Sequence, residues 1–246
     1  MSENCYAVLG LACYPPWTVN AGFIAGAAQT LVVDASAGRL SAQTLYGYAC
    51  SVRPNNRLLL VNTEKHLDHL GGNCLFADNG VPIYGHALID RKESDLAGDK
   101  EFYNSTIQEP VRRAAHEEEV FYSGTRIVNP TRAVSNKQVF DLGGIEARIL
   151  LTPGHTETNL SVHVPSDEVL YTGDAVVQGF IPNLENSTPD GWKQWLDSLD
   201  VIASLKLRAL VPGHGVVLVS DDIPRELDRI RQILRSAIKT GSPPTS

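Results

Sequence analysis

Hydrophobic positions come first in short runs. Residues 6 to 34 hold several of them, closing on Thr30-Leu31-Val32-Val33-Asp34, with Gly22 and Gly26 between as turn or bulge residues. The pattern predicts a set of antiparallel strands. A helix is expected at about residues 39 to 51, followed by the apolar run Arg57-Leu58-Leu59-Leu60-Val61, short as a strand buried on both faces should be. Asn73 to Ala77 predicts a further helix and Val81-Pro82-Ile83-Tyr84 a short strand. Strands alternating with helices indicate an α/β layered architecture.

Polarity rises between residues 91 and 125, where a helical reading from about Glu101 to Val120 is interrupted at Pro110 and Glu117-Glu118-Glu119 stands near its end. This stretch reads as a solvated helical insertion, with a lid or a dimer contact as the sharper alternatives. Short strands are expected at about 126 to 129, 137 to 141, 145 to 152, 159 to 165 and 168 to 172, Gly143-Gly144 turning the chain between two of them. Trp192, Trp195, Leu196 and Leu199 recur at helical spacing behind Thr188-Pro189, a cap and first-turn proline, and the tryptophans read as core. Strand Ala209-Leu210-Val211 follows. The last helix, about 222 to 239, aligns Ile223, Leu227, Ile230, Leu234 and Ile238 on one face for packing against a sheet. With no long linker, residues 1–239 read as one domain of two similar halves and 240–246 as a frayed tail.

Composition narrows the class. The 246 residues are 43% hydrophobic and 20% charged, ordinary for a soluble globular protein, and the net charge of -7 argues against nucleic acid or an anionic membrane as partner. No apolar run reaches membrane-spanning length, and Glu3 stands where a secretory signal would carry basic residues, so a cytoplasmic location is expected. Cys5, Cys13, Cys50 and Cys74 show no CxxC spacing and are expected to be reduced thiols.

The chemistry concentrates in Asn62-Thr63-Glu64-Lys65-His66-Leu67-Asp68-His69-Leu70-Gly71-Gly72-Asn73, where four potential metal ligands fall within six residues at the carboxyl end of a strand. Three later strand ends repeat one device, a polar residue directly after glycine: Pro153-Gly154-His155, Gly173-Asp174 and Pro212-Gly213-His214-Gly215. Glycine there lets the backbone bring each side chain close to a shared point. His86, His116 and His163 fall outside these motifs and read as hydrogen-bonded structural residues; Lys65 reads as solvated and Cys74 as packed.

Together these stretches resemble the metallo-β-lactamase fold superfamily, whose first motif is usually HxHxDH, followed by a PGH histidine, a GD aspartate and a final PGHG histidine. The resemblance covers about residues 18 to 219 and implies a four-layered αβ/βα sandwich with two divalent metal ions in a cleft at the sheets' edges. Carried over by position, Glu64, His66 and His155 would hold one ion, Asp68, His69 and His214 the other, with Asp174 bridging. Asp34 ends a strand as in relatives, and reads either as support behind the ligands or as a surface acid.

One ligand departs from the pattern: Glu64 stands where the family usually has histidine. A carboxylate binds zinc at nearly the same distance as imidazole, but the formal charge of the loaded centre falls to about zero. Zinc is the expected ion, with iron or manganese favoured more than at a three-histidine site. The resemblance implies a hydrolase in which a metal-bound hydroxide attacks the carbonyl of a small ester, lactone, thioester or amide, Asp68 orienting the nucleophile and relaying a proton. Alternatives are an iron-dependent redox enzyme, or a degenerate non-catalytic metal-binding domain. A homo-oligomer formed through residues 91–125 is a further expectation.

Overall fold

The computed structural model describes residues 2–11, 18–106 and 122–243, with the side chains of 103–106 set aside. In the amino-terminal half, β1 (Cys5–Leu11), β2 (Val19–Ala25), β3 (Gln29–Val33), β4 (Arg57–Val61), β5 (Ile83–Gly85) and β6 (Arg132–Ala133) form one sheet in sequence order. β1 to β3 pair antiparallel; β3 to β6 pair parallel. The second sheet runs in the order β12 (Leu218–Val219), β11 (Ala209–Val211), β10 (Val169–Tyr171), β9 (Leu160–Val164), β8 (Glu146–Leu151), β7 (Val139–Asp141), with β10 and β11 its one parallel pair.

Strand periodicity sorts the core. Leu31 and Val33 of β3, with Leu59 and Val61 of β4, face Ile149, Val162, Tyr171 and Val211 of the second sheet. Their neighbours Val32, Leu58 and Leu60 point the other way, onto Ala42, Leu45 and Phe76 from α1 (Arg39–Val52) and α3 (Asn73–Asp78). On the far side, Leu170 and Leu210 meet Trp195, Leu199, Ile230 and Leu234 from α5 (Pro189–Ala203) and α6 (Asp222–Thr240). The order helix, sheet, sheet, helix is the expected four-layered sandwich. α2 (Leu67–Leu70) lies in the first ligand loop and α4 (Glu93–Thr106) in the polar stretch. Among the described residues no helix is long and apolar enough to cross a membrane.

Thr188 caps α5, its side chain accepting from Gly191 N–H at 3.1 Å, with Pro189 in the first turn. The tryptophans are core: Trp192 Nε1 donates to Leu184 O and Trp195 Nε1 to Ala175 O. In α6 the buried stripe ends on Ala237, leaving Ile238 half-buried.

Two expectations shift. α4 starts at Glu93, about two turns before the expected Glu101, because Asp95 accepts from Lys92 N–H at 2.8 Å and acids fill the first turn. The remainder of that helical reading, His116 included, lies outside the described residues. No strand forms at 126–129: Ile127 N–H goes to Glu93, Val128 O accepts from Asn73, and Asn129 exchanges two hydrogen bonds with the Arg91 backbone. Side chains thus take Ile127 N–H and Val128 O in place of a ladder, and Pro130, without an N–H, packs on Gly85.

Candidate metal centre

All seven expected side chains converge at one edge of the two sheets. Asn62 directly follows β4, and its Nδ2 donates to His69 O (3.1 Å) and to Asn73 Oδ1 (3.0 Å), drawing the loop closed. Gly71 and Gly72 sit flush on Ala37 and Ala35, where an added Cβ would come within 2.0 and 2.1 Å of their carbonyl oxygens. Leu160 N–H donates to Thr63 O at 2.8 Å and fixes the loop to the second sheet.

Opposite it, Gly154 adopts φ 149° and lies on Trp195, so His155 projects inward with its ring 5.5 Å from the Trp195 ring. Gly173 (φ 50°) packs on Thr63, and Gly213 so closely on Asp174 that a Cβ would stand 1.9 Å from Oδ1. Asn20 of β2 ties down the last loop, donating from Nδ2 to Pro212 O (3.0 Å) and Gly215 O (2.8 Å), while His214 Nδ1 faces Thr18 O at 2.6 Å.

Three donor groups result: Glu64, His66 and His155; Asp68, His69 and His214; and Glu64, His69 and Asp174, the ligand atoms within each lying no more than 4.8 Å apart. Two ligands of a tetrahedral ion at zinc-like distances stand about 3.3–3.6 Å apart. Here His69 Nε2 is 3.4 Å from Glu64 Oε1 and 3.3 Å from Asp174 Oδ1. His155 Nε2 is 3.5 Å from Glu64 Oε1 and 3.5 Å from Asp174 Oδ2, and His214 Nε2 is 3.4 Å from Asp174 Oδ2 and 3.2 Å from Asp68 Oδ2. His66 Nδ1 approaches Glu64 Oε1 more closely, at 2.8 Å, and His69 Nε2 stands off Asp68 at 3.9 Å. At the centre, His69 Nε2 and Asp174 Oδ1 are buried and lack a hydrogen-bond partner among the described residues. Buried polar atoms left so are costly, and a shared cation would satisfy both. The donor set therefore fits divalent metal.

Charge is heavily coupled here. Burial opposes ionisation of Glu64 and Asp174, yet His66 and His155 beside the first, and His214 and His69 beside the second, hold both carboxyls well below the usual range. Burial would also lower the imidazoles; Asp34, Asp68 and Asp174 instead raise His69, and Asp174 and Asp68 raise His214, well above an ordinary histidine.

Asp34 lies behind the ligands rather than at the surface. It is 3% exposed; its Oδ1 accepts from Thr63 N–H (2.7 Å) and its Oδ2 from Thr63 Oγ1 (2.7 Å), with His69 Nδ1 at 2.9 Å. That contact aims His69 Nε2 at the centre. Lys65 pairs with Glu157 at 2.9 Å across the rim. Cys74 is packed, and Cys5, Cys50 and Cys74 are free. His163 is half-buried, and its Nε2 has no hydrogen-bond partner among the described residues, unlike the bonded role expected of it. Asn20, Thr156 and the Thr18 carbonyl were not foreseen; only Thr156, next to His155 in sequence, offered a signal.

The fold and site together define a four-layer α/β sandwich with a cluster of candidate metal ligands at its sheet edges. The chain belongs to the metallo-beta-lactamase superfamily, whose family model matches residues 14–214. It is 31% identical over 109 residues to an atrochrysone carboxyl ACP thioesterase of Aspergillus fumigatus, covering 42% of this chain and 33% of that protein. To a metallo-beta-lactamase fold-containing protein of Sulfurisphaera tokodaii it is 35% identical over 103 residues, covering 41% and 38%. These matches thus span about a third of the relatives' own length. A metallo-beta-lactamase family protein from Thermus thermophilus superposes with a TM-score of 0.69 at 21% identity, covering 97% of this chain and 82% of the other, a likeness of fold.

Proposed function

We propose that this chain is a metal-dependent hydrolase with two cation positions, acting on an ester, lactone, thioester or amide. The observation that carries the reading is the pair of orphaned buried atoms, His69 Nε2 and Asp174 Oδ1, facing each other at 3.3 Å inside a cluster of ligand-type side chains. Glu64 lies at ligand separation from its neighbours, which speaks against a degenerate site. Zinc suits the imidazoles, and the three carboxylates extend the fit toward manganese or iron. When bound, such ions supply Lewis acidity and ionise water near neutral pH.

The protein's own groups set the rest. The side chains of His66, His214 and Asp68 are 21%, 15% and 13% exposed while that of Glu64 is 0%, so substrate meets the first three. Asp68 Oδ2, held 3.2 Å from His214 Nε2, is placed to take a proton at the open face and pass it to the leaving group. Beside Lys65 and Glu157 lies a cavity of about 550 Å³ walled also by Asp90, Arg91, Asp95 and Asp99. Its four carboxylates against two basic groups disfavour a polyanionic leaving group there. The Aspergillus relative's name makes thioesters the first class to try.

Metal analysis of the purified chain, followed by a panel of thioesters, lactones and esters, tests this. Two bound divalent ions and metal-dependent turnover are expected, with Asp68→Asn lowering kcat roughly 10²–10⁴-fold while the fold is kept. A chain that binds no metal, or an Asp68→Asn variant with near-normal turnover, would refute the corresponding step.

A further inference from the structure

The two oxygens of Glu64 have different surroundings. Its Oε2 accepts from Thr156 Oγ1 at 3.1 Å, and that hydroxyl is 3.0 Å from Thr158 Oγ1, all three residues being buried. Its Oε1 is left to face the cluster, 2.8 Å from His66 Nδ1, 3.5 Å from His155 Nε2 and 3.4 Å from His69 Nε2. The first two of those nitrogens share one donor group with Glu64, while His69 belongs both to the group with Asp68 and His214 and to one with Glu64 and Asp174. An inward imidazole nitrogen offers one lone pair, to one ion. A carboxylate oxygen offers two and can serve a cation on either side.

We propose that Glu64 Oε1 bridges both cation positions, so that the centre carries two bridging carboxylates, Glu64 and Asp174, with Thr156 as the positioning residue that holds Oε2 out of the ligand set. The inference rests on the metal-binding reading above and gives the substitution at position 64 a meaning that exchange of one ligand for another lacks: it couples the two positions. Asp174 uses both oxygens, Oδ1 facing His69 while Oδ2 alone faces nitrogens of two donor groups, His155 and His214. Glu64 is the more deeply buried of the two, with its side chain fully covered, so its hydrogen bond to Thr156 is not shared with solvent.

The direct test is a crystal structure of the full chain loaded with zinc, with the ions placed by anomalous scattering. Glu64 Oε1 within ligand distance of both ions is expected; contact with one ion only overturns the inference while leaving the metal-binding reading intact. A chain that takes up no zinc in equilibrium dialysis overturns that reading itself. Independently, Thr156→Val should weaken zinc binding about 10-fold or more, as loss of a hydrogen bond to a ligand commonly does, and Thr156→Ser should restore it. Unchanged zinc affinity in Thr156→Val removes Thr156 from the role.

Discussion

His69 shows how single residues are set for this site. Asp34 takes its Nδ1 face, and Asp34 together with Asp68 and Asp174 on the Nε2 side raises its pKa against the effect of burial. His214 is raised in the same way by Asp174 and Asp68. In metal-free protein near neutral pH both rings therefore hold protons that a cation must displace. Metal binding should release protons at pH 7 and weaken as pH falls, measurable by titration calorimetry in buffers of different ionisation enthalpy. Binding without proton release would contradict the raised values. The same shifts shape stability of the metal-free chain. A raised histidine stabilises fully below its unfolded value of 6.5 and loses this as pH climbs through its folded pKa; the lowered Glu64 and Asp174 stabilise above their unfolded values of 4.5 and 3.8 and lose this on acidification. Thermal unfolding after chelation should show greatest stability between roughly pH 4.5 and 6.5.

At the scale of elements, glycines at strand ends decide where ligands point. Gly154 combines φ 149° with a Cβ position 2.3 Å from Trp195 Cβ, so Gly154→Ala should destabilise the fold by about 1–3 kcal/mol and misplace His155, read from the denaturant midpoint. At Gly213 the missing Cβ would fall on Asp174 Oδ1 and within 2.8 Å of the Gly173 backbone, so Gly213→Ala should lower metal affinity as well as stability. These glycines were legible beforehand because each precedes a ligand-type residue at the end of an apolar run, a pattern local in sequence. The segment 126–129 was not, because its apolar spacing matches a strand while its hydrogen-bond partners, Glu93, Asn73 and Arg91, lie 34 to 55 residues away. For the same reason Asn20 went unseen: it reaches Pro212 and Gly215 across 192 and 195 residues. Its place at the start of an apolar strand marks only an edge.

Across the whole molecule, the sheets are joined at two ends that do different work. Near the site, Leu160 N–H donates to Thr63 O and Asn20 N–H to Gly213 O, both at 2.8 Å, so one sheet's ligand loops are held against the other's. At the opposite end of β3, Ala28 and Gln29 N–H donate to Leu142 O at 2.9 and 3.1 Å, and Ala27 N–H to Gly143 O at 3.1 Å. The length of β3, five residues at about 3.3 Å each, separates these joints by roughly 17 Å. Leu142 is fully buried in the layer between the sheets. Leu142→Ala should therefore cost about 2–5 kcal/mol through the cavity it leaves, while zinc affinity stays within about twofold, because the joint beside the ligands is untouched. Combined with Gly213→Ala, its effect on stability should add to within about 0.5 kcal/mol, since the two sites are far apart and share no partners. A strong loss of metal binding in Leu142→Ala would mean that the ligand geometry depends on the packing of the whole sandwich rather than on the joint at its edge.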